Sequence, residues 1–288
     1  MSDSFQHALR TTLPMLKKIQ QGIKPAPKGS TAALKMLRAA VGRRPAKPAS
    51  PVLSASGAAP AKPGRAAPEP SAIPAAPRKP GAPAGPWEEL RSAVLACQKC
   101  PHLVRSRKQV VFGVGNPAAE LLFVGEAPGA DEDELGEPFV GKAGQLLTKI
   151  IQAMGFERSE IFIANVLKCR PDMPAGESGN RKPKSAEMAV CLPWLGQQIS
   201  LIQPRVIVAL GATAVEGLVG ETSPLRDLRG RWLEFQGAPV MVTYHPAYLL
   251  RNQSLSEKRK VWEDMLLVLE RLGKKITPKQ RAFFTNPG

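Results

Sequence analysis

The stretch Leu121-Leu122-Phe123-Val124-Gly125-Glu126-Ala127-Pro128-Gly129-Ala130-Asp131-Glu132-Asp133 decides how this chain folds. Four large apolar residues run without alternation and stop at Gly125. Such a run, closed by glycine, reads as a short strand buried on both faces. A turn bearing Pro128 and Gly129 follows, then an acid run that suits the positive end of a helix dipole. The same alternation recurs downstream. Ile161–Ala164 and Val206–Leu210 are predicted strands, the second ending in Gly211 and leading into a helix over Ala212–Val219. Trp232–Phe235 and Val240–Thr243 are further predicted strands. Helical spacing marks Trp87–Ala96, Ala143–Met154, Ser185–Ile202 with Ser185 as N-cap, and Ser256–Leu272 as the closing helix. The pattern predicts an α/β fold: three layers, α/β/α, around a central, mostly parallel short sheet.

In such sheets ligands bind beyond the carboxyl ends of the strands. That rule selects three segments. Gly125–Gly141 joins a glycine turn to a carboxylate cluster and the aromatic Phe139; no G-K-[ST] follows, so it is not a phosphate loop. Carboxylates there can orient water or stabilise a cation. Asp131, Asp133 and Glu134 read equally well as a solvated helix start, whereas Glu126 follows the strand directly. Asn165, at the end of the second strand, offers a donor and an acceptor to an imide or amide edge, and it also suits a turn. His245 is one of three histidines, with His7 and His102, and stands at the end of the last strand. The Leu249-Leu250-Arg251 run after it, in a predicted exposed loop, suits an intercalating wedge.

The four cysteines are Cys97, Cys100, Cys169 and Cys191. Four thiols match the coordination number of a zinc or iron–sulfur site. Zinc ribbons usually pair two C-x-x-C units at short separation, and here one such unit is matched to two distant cysteines. That spacing fits a four-thiolate cluster better than a ribbon. No secretory signal segment is visible, which disfavours a disulfide framework.

Charge divides the chain. Of 288 residues with net charge +16, residues 1–86 hold 14 Lys and Arg against two acids, Asp3 and Glu69, and 15 of the 29 prolines. This Pro/Ala/Lys-rich segment has too few large apolar residues to offset the entropy of ordering, and it is predicted to be disordered. Phe5–Ile23 and Thr31–Gly42 read as transient amphipathic helices within it. A cationic tail of this kind either raises local concentration on a polyanion such as DNA or is a solvated linker. No apolar run reaches the length of a membrane span.

Taken together, G-E-A-P-G-A-D-E-D…G-E-P-F-V-G-K-A-G-Q-L-L (125–147), N-V-L-K-C-R-P (165–171), G-N-R-K-P (179–183) and H-P-A-Y-L-L-R-N (245–252) resemble the uracil-DNA glycosylase superfamily, most closely its family 4, the iron–sulfur type. The resemblance covers about Trp87 to Gly273, so the expected organisation is a tail (1–86), a catalytic domain (87–273) and an extension (274–288). It implies one 4Fe–4S cluster held by the four cysteines. It implies that Phe139 stacks on a flipped uracil beside Gly125, that Asn165 reads the uracil edge, and that His245 donates to uracil O2 as the base leaves. Glu126 or Glu132 would aim the attacking water. Leu249, Leu250 and Arg251 would fill the vacated base stack, and Lys168, Arg170, Arg181 and Lys182 would meet phosphate.

There are departures from the wider superfamily. Ala127 stands where other uracil glycosylases carry a water-activating Asp, and Gly129 where they exclude the thymine methyl with Tyr. The Cys169–Cys191 gap is a few residues longer than usual around Pro174–Ser178. The expected activity is hydrolysis of the uracil N-glycosidic bond in single- or double-stranded DNA by a monomer of the bacterial cytoplasm, associated with the nucleoid. The competing expectations are a non-enzymatic iron–sulfur DNA-binding or polymerase-associated module, and a glycosylase for other deaminated bases.

Overall fold

A computed structural model of the protein describes residues 85–174 and 176–285. The predicted tail and its two amphipathic pieces fall almost wholly outside the described residues. The elements in chain order are α1 (Pro86–Leu95), α2 (Pro101–Ser106), β1 (Val114–Gly115), β2 (Leu121–Gly125), α3 (Ala130–Leu135), α4 (Lys142–Met154), β3 (Phe162–Asn165) and α5 (Ser185–Ile202). They continue with β4 (Val206–Leu210), α6 (Ala212–Val219), α7 (Leu225–Leu228), β5 (Trp232–Phe235), β6 (Ala238–Thr243), α8 (Pro246–Arg251), α9 (Leu255–Arg271) and α10 (Pro278–Arg281).

The six strands form one sheet in the order β1-β3-β2-β4-β6-β5. The four inner strands are parallel, and the short edge strands β1 and β5 are antiparallel to their neighbours. The two-residue alternation of strand side chains sorts the core into two layers. Leu122, Val124, Ala164, Ile207, Ala209, Val240 and Val242 pack with α1, α5 and α6 on one face. Leu121, Phe123, Ile163, Val206, Val208 and Met241 pack with α4 and α9 on the other. This is the expected α/β/α arrangement, and it explains the unbroken apolar strands: both faces are covered.

Three details differ from the sequence reading. Ser185 is the first helical residue of α5 rather than its cap; Lys184 is the N-cap, and its N–H is satisfied by the Glu187 carboxylate at 2.8 Å. Helix α9 does not close the fold. The chain past residue 273 lies back on the α4–α9 face, where Trp262 Nε1 donates to Gln280 O at 2.5 Å, Gln280 Nε2 donates to Ala153 O at 2.9 Å, and Phe283 packs beside Trp262. The loop after His245 is a helix, α8, with Pro246 in its first turn and His245 as its cap.

Candidate active site and cysteine cavity

The parallel registers bring the expected residues to one edge of the sheet. Gly125 pairs with Asn165 across β2–β3, and Leu210 pairs with Thr243 across β4–β6, two residues before His245. At Gly125 the space for a side chain is already taken. A Cβ there would stand 2.4 Å from Asn165 Oδ1 and 2.5 Å from Phe139 Cζ. The Phe139 ring in turn stacks near His245, with centroids 5.6 Å apart and planes 30° from parallel. Gly125, Phe139, Asn165 and His245 therefore converge on one small volume.

Each polar group there is poised in a defined state. Asn165 is 2% exposed, and its Oδ1 has no hydrogen-bond partner among the described residues. A buried amide oxygen left alone costs free energy, so this atom is built to meet a ligand donor. His245 Nδ1 accepts the Ala247 N–H at 3.1 Å. That fixes the neutral tautomer, with the ring proton on Nε2 as a donor. Burial, and secondarily the charge of Arg251, lowers the imidazole pKa to about 4, so the ring is neutral at ordinary pH.

The two candidate acids differ. Glu132 is occupied with backbone: its Oε1 accepts from Val140 N at 3.0 Å and Gly141 N at 3.1 Å, and its Oε2 from Gly129 N at 3.1 Å. It holds the loop that carries Phe139 and has little capacity left for water. Burial raises the Glu126 carboxyl above the usual range, opposed by a hydrogen bond from Thr213 and by the charge of Lys182. Asn180, which sequence reasoning did not single out, brings its Nδ2 within 3.2 Å of where a Gly129 Cβ would lie. Asp133 is not a solvated helix-start acid. It is 2% exposed and accepts the Lys108 N–H, its Oδ1 at 3.0 Å and its Oδ2 at 3.1 Å, which ties down the 107–109 loop.

Several expected phosphate contacts are placed elsewhere. Lys168 is fully enclosed and donates to Gln198 Oε1 at 2.5 Å; burial lowers its pKa to about 8, partly offset by the neighbouring Cys191. Charge burial this complete leaves no path to a phosphate. Arg181 is turned inward onto Glu187, at 2.7 and 2.9 Å, and onto Asp172, so its guanidinium braces the 170–184 loop. Burial pushes Glu187 up, but Arg181, the Lys184 N–H and His102 outweigh it and hold the carboxyl at about 2. His102 Nε2 lies 2.8 Å from Glu187, and with Asp172 these three could be taken for metal ligands; Arg181 closes the set instead. Arg170 donates to Gly179 O at 2.8 Å within the loop, and the exposed Lys182 pairs with Glu216 of α6 at 2.6 Å. On α8, Leu249 is buried and Leu250 exposed, and both line one groove with residues of α4 and α9. A helix turns consecutive residues by about 100°, which sets their exposure apart. Arg251 is exposed beside Leu250.

The four cysteines, all free thiols, line one small cavity with Val94, Leu103, Leu167 and Trp194. Three of the sulfurs receive N–H donors: Cys169 from Arg107 Nη1 at 2.9 Å, Cys97 from Trp194 Nε1 at 3.3 Å and Cys191 from Lys168 N at 3.3 Å. Burial raises the Cys100 and Cys169 thiols and takes Cys191 to about 11; the charges of neighbouring cysteines add to this at all three. Two buried and two half-buried thiols around one cavity, three of them supplied with N–H donors, fit a cationic group bound among them. Arg107 carried no recognisable motif signal in the sequence.

The uracil DNA glycosylase superfamily model matches residues 112–266. The chain is 44% identical over 181 residues to a type-4 uracil-DNA glycosylase of Thermotoga maritima, covering 62% of this chain and 90% of that protein. A type-4 enzyme of Pyrobaculum aerophilum is 44% identical over 176 residues, 58% of this chain and 86% of the relative. A type-5 uracil-DNA glycosylase of Thermus thermophilus is more distant, at 28% over 163 residues, 46% of this chain and 71% of its own. The chain belongs to the uracil DNA glycosylase superfamily, among its type-4 members.

Proposed function

We propose that this protein is a uracil-DNA glycosylase of base-excision repair, which flips uracil out of DNA and hydrolyses its N-glycosidic bond. The observation that carries the reading is the orphaned Asn165 Oδ1, buried beside Phe139 and across from a neutral, Nε2-protonated His245. Uracil presents an N–H between two carbonyl oxygens. Asn165 Oδ1 would accept from that N–H and its amide nitrogen would donate to O4. Phe139 would stack on the ring. As the bond breaks, negative charge grows on the base, and a preorganised neutral donor at His245 gains strength at that moment.

Glu132 spends three acceptor sites on backbone N–H groups, so Glu126 and the Asn180 amide have more capacity to orient water near the sugar. DNA would be met by Leu250 and Arg251 on α8. Uracil in single- or double-stranded DNA as substrate and a monomeric enzyme complete the reading. Among the described residues no helix is long and apolar enough to cross a membrane, and a DNA substrate agrees with a place at the bacterial nucleoid.

The cysteine cavity is read as the seat of one 4Fe–4S cluster. Zinc held by thiolates at about 2.3 Å needs sulfurs about 3.8 Å apart. Among the described residues, only His102, Asp172 and Glu187 bring three ligand atoms within 4.8 Å of one another; no three cysteine sulfurs do. That wider spacing favours a larger group than a single ion. When bound, it would supply cross-linking of α1–α2 to the 169 and 191 segments rather than redox chemistry. The direct test is incubation with otherwise identical oligonucleotides bearing uracil, inosine or thymine. Abasic-site formation on uracil supports the reading; cleavage of inosine alone, or of nothing, overturns it.

A further inference from the structure

Phe139 adopts a left-handed backbone, φ +55°, at a residue with a bulky side chain. L residues with a Cβ avoid that region, and such conformations persist only where the surroundings over-determine them. The structure pins both peptide planes that flank this Cα. On one side, Arg158 Nη2 donates to Pro138 O at 2.5 Å. On the other, Glu132 Oε1 accepts from Val140 N at 3.0 Å. Fixing the two planes fixes the φ and ψ between them.

The brace closes on itself. Arg158 Nη1 also donates to Thr148 Oγ1 at 3.3 Å, and that hydroxyl donates to Gly144 O at 3.1 Å. Gly144 lies against the backbone of Phe139 so tightly that a Cβ there would fall 1.8 Å from Phe139 O. Arg158 is half-buried, and none of the described ion pairs is formed by it. Burial lowers its pKa, with the charges of Glu137 and Glu132 opposing. A guanidinium taken from solvent to hold one carbonyl and one hydroxyl is spent on geometry.

We propose that Arg158 is a positioning residue for base recognition, holding Phe139 in its left-handed conformation so that the ring faces His245 and Asn165 before any base arrives. The proposal rests on the reading of Phe139 as the stacking aromatic. Without the Arg158 bond, the Pro138–Phe139 peptide is free to rotate, the residue relaxes out of the left-handed region, and the ring leaves the pocket.

The test is a double-mutant cycle on the full-length protein, with Arg158→Gln, Phe139→Ala and the pair. Two quantities are read: the single-turnover rate on uracil DNA, and the affinity for DNA bearing non-cleavable 2′-fluoro-2′-deoxyuridine relative to undamaged DNA. Arg158→Gln is expected to lower both the rate and the discrimination by tenfold or more, Arg158→Lys to recover part of this, and Arg158→Gln to add nothing on the Phe139→Ala background. A thermal shift with unchanged rate and discrimination, or an additive pair, overturns the proposal. If Phe139→Ala itself costs nothing, the stacking reading fails and takes the proposal with it. If it costs activity while Arg158→Gln does not, only the proposal fails. Should Arg158→Gln not fold, Thr148→Val removes the other end of the brace, and a wild-type rate and discrimination there overturn the proposal.

Discussion

Asn165 Oδ1 fills the space that a side chain on Gly125 would need: 2.4 Å separates it from the position of a Gly125 Cβ, directly across the β2–β3 register. The glycine is therefore a condition for the pocket rather than a hinge, since its backbone lies outside the left-handed region. Gly125→Ala should displace Asn165 or Phe139. Overpacking of this kind costs about 1–3 kcal/mol in stability. Displacing a substrate-positioning group by about 1 Å costs on the order of 100-fold in rate. Thermal melts and single-turnover kinetics on the same preparation check both; a wild-type rate would mean that the two side chains do not share the substrate.

Asn165→Asp exchanges the amide donor for a second acceptor. On uracil it loses the partner for O4 and, when ionised, repels it. A site built to pair a buried polar edge penalises such a mismatch by about 10⁴-fold or more. Cytosine carries an amino group at the same position, so new cytosine release is the expected gain. His245→Ala should behave differently, slowing cleavage by about 100- to 1,000-fold, as loss of one preorganised donor does, with binding of uracil DNA nearly intact. Single-turnover rates and binding curves for both variants decide; wild-type uracil cleavage by Asn165→Asp places the pocket elsewhere.

Two buried groups act on the pH dependence of stability with opposite signs. His245 is depressed to about 4, against about 6.5 when unfolded. Between those values the unfolded chain binds a proton that the folded one refuses, so acidification through this window destabilises the fold. Asp264 is raised by burial to about 6, opposed by Thr243 Oγ1 at 2.7 Å and by Arg229. Between about 3.8 and 6 the folded state keeps a proton that the unfolded chain releases, so acidification stabilises. Asp264→Asn removes the second effect and should steepen the loss of stability from pH 6 to pH 4. Denaturation midpoints across that range test it. A ring-nitrogen NMR spectrum near pH 6 should also show His245 neutral and protonated at Nε2.

The sheet was legible because parallel strands covered on both faces must be apolar, and β2 and β4 are, as is β3 up to Asn165. The pocket residues were legible for a related reason: Gly125, Asn165 and His245 each end or follow such a strand, where ligands bind. Other residues were opaque because their meaning lies in distant partners. Asp133 reads as a solvated helix-start acid until Lys108 N–H reaches it from another loop. Arg158 is an ordinary loop cation in sequence, and its role exists only through Pro138 O. The difference in burial between Leu249 and Leu250 required knowing that Pro246–Arg251 is helical.

The cysteine cavity predicts iron. Protein purified without oxygen should be brown with broad absorption near ~400 nm, as thiolate-bound iron–sulfur centres are. Cys191→Ser should lose most of the iron and lower the melting temperature, because this residue ties α5 to the rest of the cavity. Metal analysis returning stoichiometric zinc with no iron would reject the cluster.

Lys168 and Arg251 separate buried charge from charge that can meet DNA. A phosphate contact contributes a slope of about −0.9 to the dependence of log affinity on log salt. Arg251 is exposed at the end of α8, next to the exposed Leu250, so Arg251→Ala should flatten that slope by about one. Lys168→Met should leave it unchanged, because its ammonium faces Gln198 inside the fold. Its effect belongs in stability instead: Gln198 Oε1 loses its donor, a cost of about 1–3 kcal/mol. That loss is partly offset because the variant no longer buries a charge. Salt titrations of DNA binding on both variants distinguish the two. A slope change in Lys168→Met matching that of Arg251→Ala would show that the lysine reaches solvent when DNA is bound, and the placing of its ammonium inside the fold would fall with it.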